Sequence, residues 1–194
     1  MLQNRSLLGA IMMVGFIAAW VGVWEAPAFP KKAFVEVTGQ TTSFADGDDG
    51  DLQAGVPFPR KRFVDQRNGT VMDRLTGLIW LKNADCFGGQ SWADALEKAN
   101  TLASGSCGLT DGSKAGDWRL PNVKELQSLI DFGTFSPALP AGHPFLKVQS
   151  FAYWSSTTLA GNPGNAWLVN LDGGDAVVGS KDSIILVWPV RGGA

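Results

Sequence analysis

Ser91 and Asn122 each stand one residue ahead of an amphipathic stretch, and this pair of helix starts constrains the fold more than any other feature. Ser91 has Asp94 three residues on, and Trp92, Ala95, Leu96, Ala99, Leu102 and Ala103 then share one helical face before Gly105. Asn122 follows Pro121, Glu125 completes a capping box, and Val123, Leu126, Leu129 and Ile130 face inward before Gly133. The strand-like runs lie on either side of these helices. Phe63-Val64-Asp65 and Thr70-Val71-Met72-Asp73 flank Asn68-Gly69, the dipeptide best suited to a tight hairpin turn, and 77–81 follows as a third strand. Phe34-Val35-Glu36-Val37 reads as a short strand before them, and 151–157, 166–171 and 184–190 as strands after the helices. Asp172-Gly173-Gly174-Asp175 and Ser180-Lys181-Asp182 read as turns. Hairpin, helix, helix, long loops and strands in that order predict an α+β fold with antiparallel pairing, not alternating βαβ units.

The amino-terminal part is different material. Arg5 precedes an uncharged apolar run over 7–24, and Ala26-Pro27-Ala28 places small residues at both key positions of a cleavage site. That is the layout of a secretory signal peptide at 1–28, cleaved after Ala28; the length of the run leaves a retained membrane anchor as the alternative. Either way the rest of the chain is exported to the periplasm, the cell surface or the medium, and touches the membrane only through an uncleaved segment. An exported chain with two cysteines, Cys86 and Cys107, most simply forms one disulfide, and that bridge clamps the first helix at both ends. A reactive thiol is the competing reading, but no His or basic cluster lies nearby in sequence to lower its pKa.

Composition excludes several function classes. With 16 Lys+Arg against 18 Asp+Glu the chain lacks the basic excess of a nucleic-acid surface. One His and two Cys cannot furnish a His-rich metal site or a four-thiolate centre. Residues 29–61 form a polar arm containing Asp46, Asp48, Asp49 and Asp51 within one short stretch. A solvated acidic turn is the simpler reading of that cluster; calcium is the alternative, although the spacing does not fit an EF-hand.

Six segments in order resemble a known family: Gly69-Thr70-Val71 with Asp73, Thr76-Gly77-Leu78-Ile79-Trp80, Trp92-Ala93-Asp94-Ala95-Leu96, Asp117-Trp118-Arg119-Leu120-Pro121-Asn122 with Glu125-Leu126, Tyr153-Trp154-Ser155-Ser156-Thr157, and Val190-Arg191-Gly192. Together they resemble the Lcl C-terminal domain family over about 62–193. The resemblance implies a fold related to C-type lectin-like and formylglycine-generating-enzyme-like domains, with two helices packed on small antiparallel sheets beside long loops. The founding member of the family is the C-terminal domain of a bacterial collagen-like surface adhesin that binds sulfated polysaccharides; this chain has no collagen-type repeat. The family framework falls here on Trp80, Trp92, Asp117, Trp118, Arg119, Pro121, Glu125, Trp154, Ser155 and Arg191.

No catalytic residue emerges. The related oxidase uses a late cysteine pair, and nothing after Cys107 is a cysteine. A Ser–His–Asp triad would have to recruit His143, which sits in Gly142-His143-Pro144 without a nucleophile elbow and reads as a loop surface residue. Trp118 and Arg119 read as framework, with Arg119 paired to Asp117 or another carboxylate, and 154–157 as a core strand whose hydroxyls satisfy backbone groups.

Ligand contact is expected instead from Asn162, Asn165 and Trp167 beside one Gly/Pro loop and from Asp172 and Asp175 in the next, since amides, carboxylates and an aromatic ring suit sugars. Arg60-Lys61-Arg62, with Lys31-Lys32, adds a basic patch for a sulfated or acidic polymer, a solvated basic turn being the simpler reading. The resulting expectation is an exported binding module for glycans or cell-envelope polymers, with no resident cofactor. The alternative is a structural or assembly component that binds an envelope protein.

Overall fold

The computed structural model describes residues 35–192, so the apolar segment at 1–28, Lys31, Lys32 and Phe34 lie outside the described residues. A one-turn helix α1 (Asp49–Leu52) precedes β1 (Phe63–Asp65), β2 (Thr70–Asp73), β3 (Ile79–Leu81) and β4 (Gly89–Gln90). The helices α2 (Trp92–Thr101) and α3 (Val123–Gln127) follow, then β5 (Ala152–Thr158), β6 (Asn165–Asn170), β7 (Ala176–Ser180), β8 (Ile185–Leu186) and β9 (Val190–Arg191). They build two sheets, ordered β1-β2-β3-β9 and β4-β8-β5-β6-β7. This is the expected α+β class. Pairing is antiparallel except between β5 and β8, where Tyr153 lies beside Leu186 in parallel, because the chain crosses from β7 past β5 before it pairs again.

The first hairpin forms, with a longer turn than Asn68-Gly69 alone would make. Gln66 N–H donates to the Thr70 carbonyl, and Arg67 and Gly69 take positive φ of 60° and 87°. The Asn68 side-chain oxygen accepts from the Thr70 amide and hydroxyl, an Asx-type turn. A Cβ on Gly69 would stand 2.3 Å from the Gly108 carbonyl oxygen, so only glycine lets the hairpin tip dock on the loop that carries Cys107.

Both helices start at the caps read from the sequence, Ser91 and Asn122, and both stop early. The helix α2 ends at Thr101 instead of reaching Gly105, because Leu102 turns to extended backbone and buries its side chain. The helix α3 ends at Gln127 instead of reaching Gly133, yet Leu129 and Ile130 are still buried. The run at 184–190 divides: β8 joins the larger sheet and β9 the smaller, with Val187, Trp188 and Pro189 crossing between them. The segment between the two late turns, to which the sequence reading assigned no element, is the strand β7. The strand expected at 34–37 amounts to one isolated parallel bridge, Glu36 to Val56.

Two cores hold the sheets and helices together. The larger contains Val71, Trp80, Leu81, Leu126, Leu129, Tyr153, Val169, Leu171, Trp188 and Val190, all essentially without exposure. Within it Trp188 meets Trp80 and Phe145 edge-on and donates its indole N–H to the Leu81 carbonyl at 2.8 Å. The smaller sits under α2, where Ala95 and Ala99 bring the helix close to Trp154, Ala166, Leu168 and Val187. Cys86 and Cys107 form a disulfide that brackets α2 in sequence.

Candidate functional site

The segment Phe58-Pro59-Arg60-Lys61 leads into β1 opposite the loop Pro140-Ala141-Gly142-His143, and the two enclose a cleft of about 450 Å³. Arg60 and Lys61 are exposed at it, and Phe58 and Phe63 supply aromatic wall. Arg62 does not belong to the basic patch, contrary to the sequence reading. Its side chain is buried and donates to both oxygens of the wholly buried Asp73 at 3.1 and 3.0 Å. It also donates to the Ser128 carbonyl, and its guanidinium lies 4.8 and 4.7 Å from the ring centroids of Phe58 and Phe63. Asp73 accepts the Leu75 amide and the Thr76 hydroxyl as well, so the ion pair is tied into the frame through every polar atom except Arg62 Nη1, which is buried without a partner among the described residues. Arg62 therefore pins the arm to the domain and leaves Arg60 and Lys61 as the cleft's cations.

His143 is half-buried, not a loop surface residue. Its ring lies 5.7 Å from that of Phe145, and its Nδ1 is buried without a hydrogen-bond partner among the described residues. Burial holds its pKa below the ordinary histidine value, so near neutral pH it offers the cleft an uncharged ring. At the other rim Asp65 pairs with Lys82 at 2.9 Å; that hydrogen bond first, and the Arg67 amide second, lower its pKa. A cleft with two cations outside any ion pair among the described residues, and with aromatic and proline walls, suits an extended acidic chain.

The loop residues expected to bind sugars are not brought together. Asn162 and Asn165 lie at one end of β6, and Asp172 and Asp175 lie past its other end, six strand residues and about 20 Å away. Asn162 is exposed and accepts the Gly164 amide at 3.3 Å. Trp167 is half-buried within β6, opposite Val178 and on the same sheet face as Asn165. Asp172 accepts the Ser136 hydroxyl. Asn162, Asn165 and Trp167 can still form one small surface; the two aspartates are separate from it.

The framework residues make contacts within the fold. Trp118 is buried and donates to the Ser113 hydroxyl at 3.0 Å, while Asp117 accepts the Lys114 amide at 2.8 Å. Arg119 pairs not with Asp117 but two-pronged with Glu125, at 2.7 and 2.6 Å. Glu125 also accepts the Asn122 amide, and these partners hold its pKa low against the desolvation that would raise it. Arg191 meets Asp111 at 3.0 Å and lies over Trp118. Trp154 donates to the Gln90 carbonyl and Trp92 to that of Ser155. Ser155 is buried and donates to the Trp167 carbonyl at 2.7 Å, and the Thr157 hydroxyl accepts the Val123 amide, so these hydroxyls serve the backbone.

The acidic turn is occupied by its own backbone. Asp48 caps α1 and accepts the amides of Phe44, Ala45 and Asp51, which hold its pKa low. Asp51 accepts the Gly47 amide and Asp49 the Thr38 hydroxyl. Among the described residues no group of three or more His, Cys, Asp or Glu is placed to hold a metal ion, and no helix is long and apolar enough to cross a membrane.

Sequence reasoning missed Phe58, Pro140 and the placement of His143. An aromatic-proline-basic run was visible at Phe58-Pro59-Arg60-Lys61, but nothing local couples it to a loop some eighty residues later. Lys181 was missed too: its ammonium sits 3.8 Å from the Trp92 ring centroid and donates to the Thr158 hydroxyl. Comparison with curated proteins finds no match. Comparison with protein families matches residues 69–191 to the Lcl C-terminal domain, more than half of the sequence, and the chain therefore belongs to the Lcl C-terminal domain family.

Proposed function

We propose that this chain is an exported, non-catalytic binding module for acidic glycans or other anionic cell-envelope polymers, carried on a C-type lectin-like frame. The observation that supports this reading is the cleft at Arg60 and Lys61, where two exposed cations face the Pro140–His143 loop while the neighbouring Arg62 is neutralised by Asp73. The matched family segment begins at residue 69, so the cationic side of the cleft is contributed by the arm that precedes it. One open, polar site binds a single sugar weakly, and useful affinity comes from a polymer that spans several sites. The test is binding of the chain to acidic and neutral polysaccharides of equal length over a salt series. Binding confined to the acidic polymer, weakened by salt and reduced about tenfold or more in Arg60→Ala/Lys61→Ala, is the expected result. Equal binding of both polymers, or no loss in the double variant, would overturn it.

A second reading, a component that docks on an envelope protein, is favoured by one feature. Phe151 and Ile184, each 69% exposed, border an apolar groove of about 430 Å³ with Gly89, Ile185 and Leu186. Loss of a specific protein partner, with polysaccharide binding unchanged, in Phe151→Ser/Ile184→Ser would support it.

A further inference from the structure

Among the described residues the larger sheet ends in β7, and β7 is an open edge. Its order β4-β8-β5-β6-β7 leaves one long side of 176–180 unpaired. The direction of each backbone group follows from the ladder. Asn170 N–H donates to the Asp175 carbonyl at 2.8 Å and Lys181 N–H to the Gly164 carbonyl at 2.9 Å. Hydrogen-bonded pairs alternate along an antiparallel ladder, so Val177 and Gly179 turn their backbone groups to β6, while Ala176, Val178 and Ser180 turn theirs outward. Of those outward groups, the Ser180 carbonyl accepts the Ser183 amide; the Ala176 and Val178 amides and carbonyls have no partner among the described residues. The strand has no charged residue or proline to discourage pairing, and Val177 and Val178 are 41% and 44% exposed.

We infer that this edge pairs with the same edge of a second copy of the chain, antiparallel, about a two-fold axis at Val178. Three features of the strand match under that operation. Val178 meets its own counterpart and exchanges both backbone bonds with it, and the Ser180 amide reaches the Ala176 carbonyl of the other copy. On the face that carries α2, Val177 comes to lie opposite Gly179, so the bulkier side chain meets the residue without one. Beyond the strand ends Asp175 falls opposite Lys181 of the other copy, twice by symmetry. Neither residue is in an ion pair among the described residues. Lys181 lies over Trp92 and donates to the Thr158 hydroxyl, contacts it exchanges for Asp175 when the edges pair. Both residues lie on the same sheet face, in the pair type where side chains approach closest. Shifting the register by two residues removes both the Val–Gly and the Asp–Lys matches. The charge complementarity thus selects both the partner and the register. The pairing needs no polysaccharide and stands or falls separately from the proposed binding function; if both hold, the pair presents two clefts to one polymer.

The test uses the full-length chain, held in mild detergent because of the apolar run at 7–24. Sedimentation velocity of the wild type shows a reversible dimer, and Val178→Lys abolishes it with unchanged circular dichroism. Under mild oxidation Val178→Cys gives a covalent dimer mapped to residue 178, since paired Cα atoms lie within disulfide reach. Ser180→Cys does not, because the two copies of residue 180 stand about 13 Å apart along the pair. Asp175→Lys weakens the dimer about tenfold, and adding Lys181→Asp in the same chain restores it. A wild type that stays monomeric at every concentration overturns the inference. So does a dimer indifferent to Val178→Lys, or cross-linking equal at 178 and 180; if Val178→Lys fails to fold, the cysteine pair decides alone.

Discussion

Tyr153 is the one tyrosine of the chain, and it sits in the core against Trp188 with its hydroxyl accepting the Gln149 amide. Burial pushes its phenol up to about 12; the Gln149 hydrogen bond opposes the rise and the nearby Asp85 carboxylate adds to it. The folded protein thus keeps a proton that the unfolded chain has lost once the pH passes the ordinary value of 10.0. The stability this confers is whole below pH 10 and falls away as the pH climbs towards 12. Ultraviolet titration of the phenolate therefore shows a single transition near 12 in buffer and near 10 in denaturant. Tyr153→Phe flattens the alkaline fall of the melting temperature relative to the wild type. A native-state transition near 10 would mean that the phenol is reached by water.

The helices show which elements can be read locally and which cannot. Asn122 accepts the amides of Lys124 and Glu125, both at 2.9 Å, while Ser91 accepts that of Asp94 at 3.3 Å. Asn122→Ala is expected to cost about 1 kcal/mol, and to lower the melting temperature by about 2–4 °C, more than Ser91→Ala does. The Asn122 cap also positions Glu125 for Arg119, so its loss loosens a contact that reaches Gly192. Opening the Cys86–Cys107 bridge by Cys86→Ser/Cys107→Ser is expected to cost more, about 3 kcal/mol for a loop of its length. Thermal melts of the three variants, with the cysteine pair melting lowest, Asn122→Ala next and Ser91→Ala highest, check both statements. These starts were legible because a cap needs only the next three residues. Helix ends were not, because Leu102 leaves the helix to reach a core whose other members are distant in sequence. The strand β7 escaped notice because neither of its faces is buried and its neighbours read as turns. For the cleft, the charges of Arg60 and Lys61 were legible. The burial of Arg62 was not, since it depends on Asp73 and Ser128, which only the folded chain brings to it.

At the scale of the molecule, one short segment joins both sheets. After β8 the chain carries Trp188 through the larger core, and β9 then closes the smaller sheet by pairing Val190 with Trp80 and Arg191 with Ile79. Val190 also exchanges backbone bonds with Arg119 at 3.0 and 2.9 Å, just ahead of α3, and the Pro189 carbonyl accepts the Leu81 amide at 3.1 Å. Early hairpin, helix region and last strand thus meet at Val190, which is wholly buried. A contact pattern so remote in sequence makes folding of the domain all-or-none, with little left to stabilise an isolated half. Deleting 189–194 is therefore expected to unfold the domain as a whole and not to trim an end. It leaves Trp80 without its sheet neighbour, Asp111 without Arg191 and the Arg119 backbone unpaired inside the protein, losses that together exceed a few kcal/mol. Near-ultraviolet circular dichroism of the buried tryptophans reports the outcome. Its collapse at room temperature, with Val190→Ala giving a folded but less stable protein, is the expected result. A truncated chain with the native spectrum and only a lower melting temperature would show that the two sheets hold together without β9.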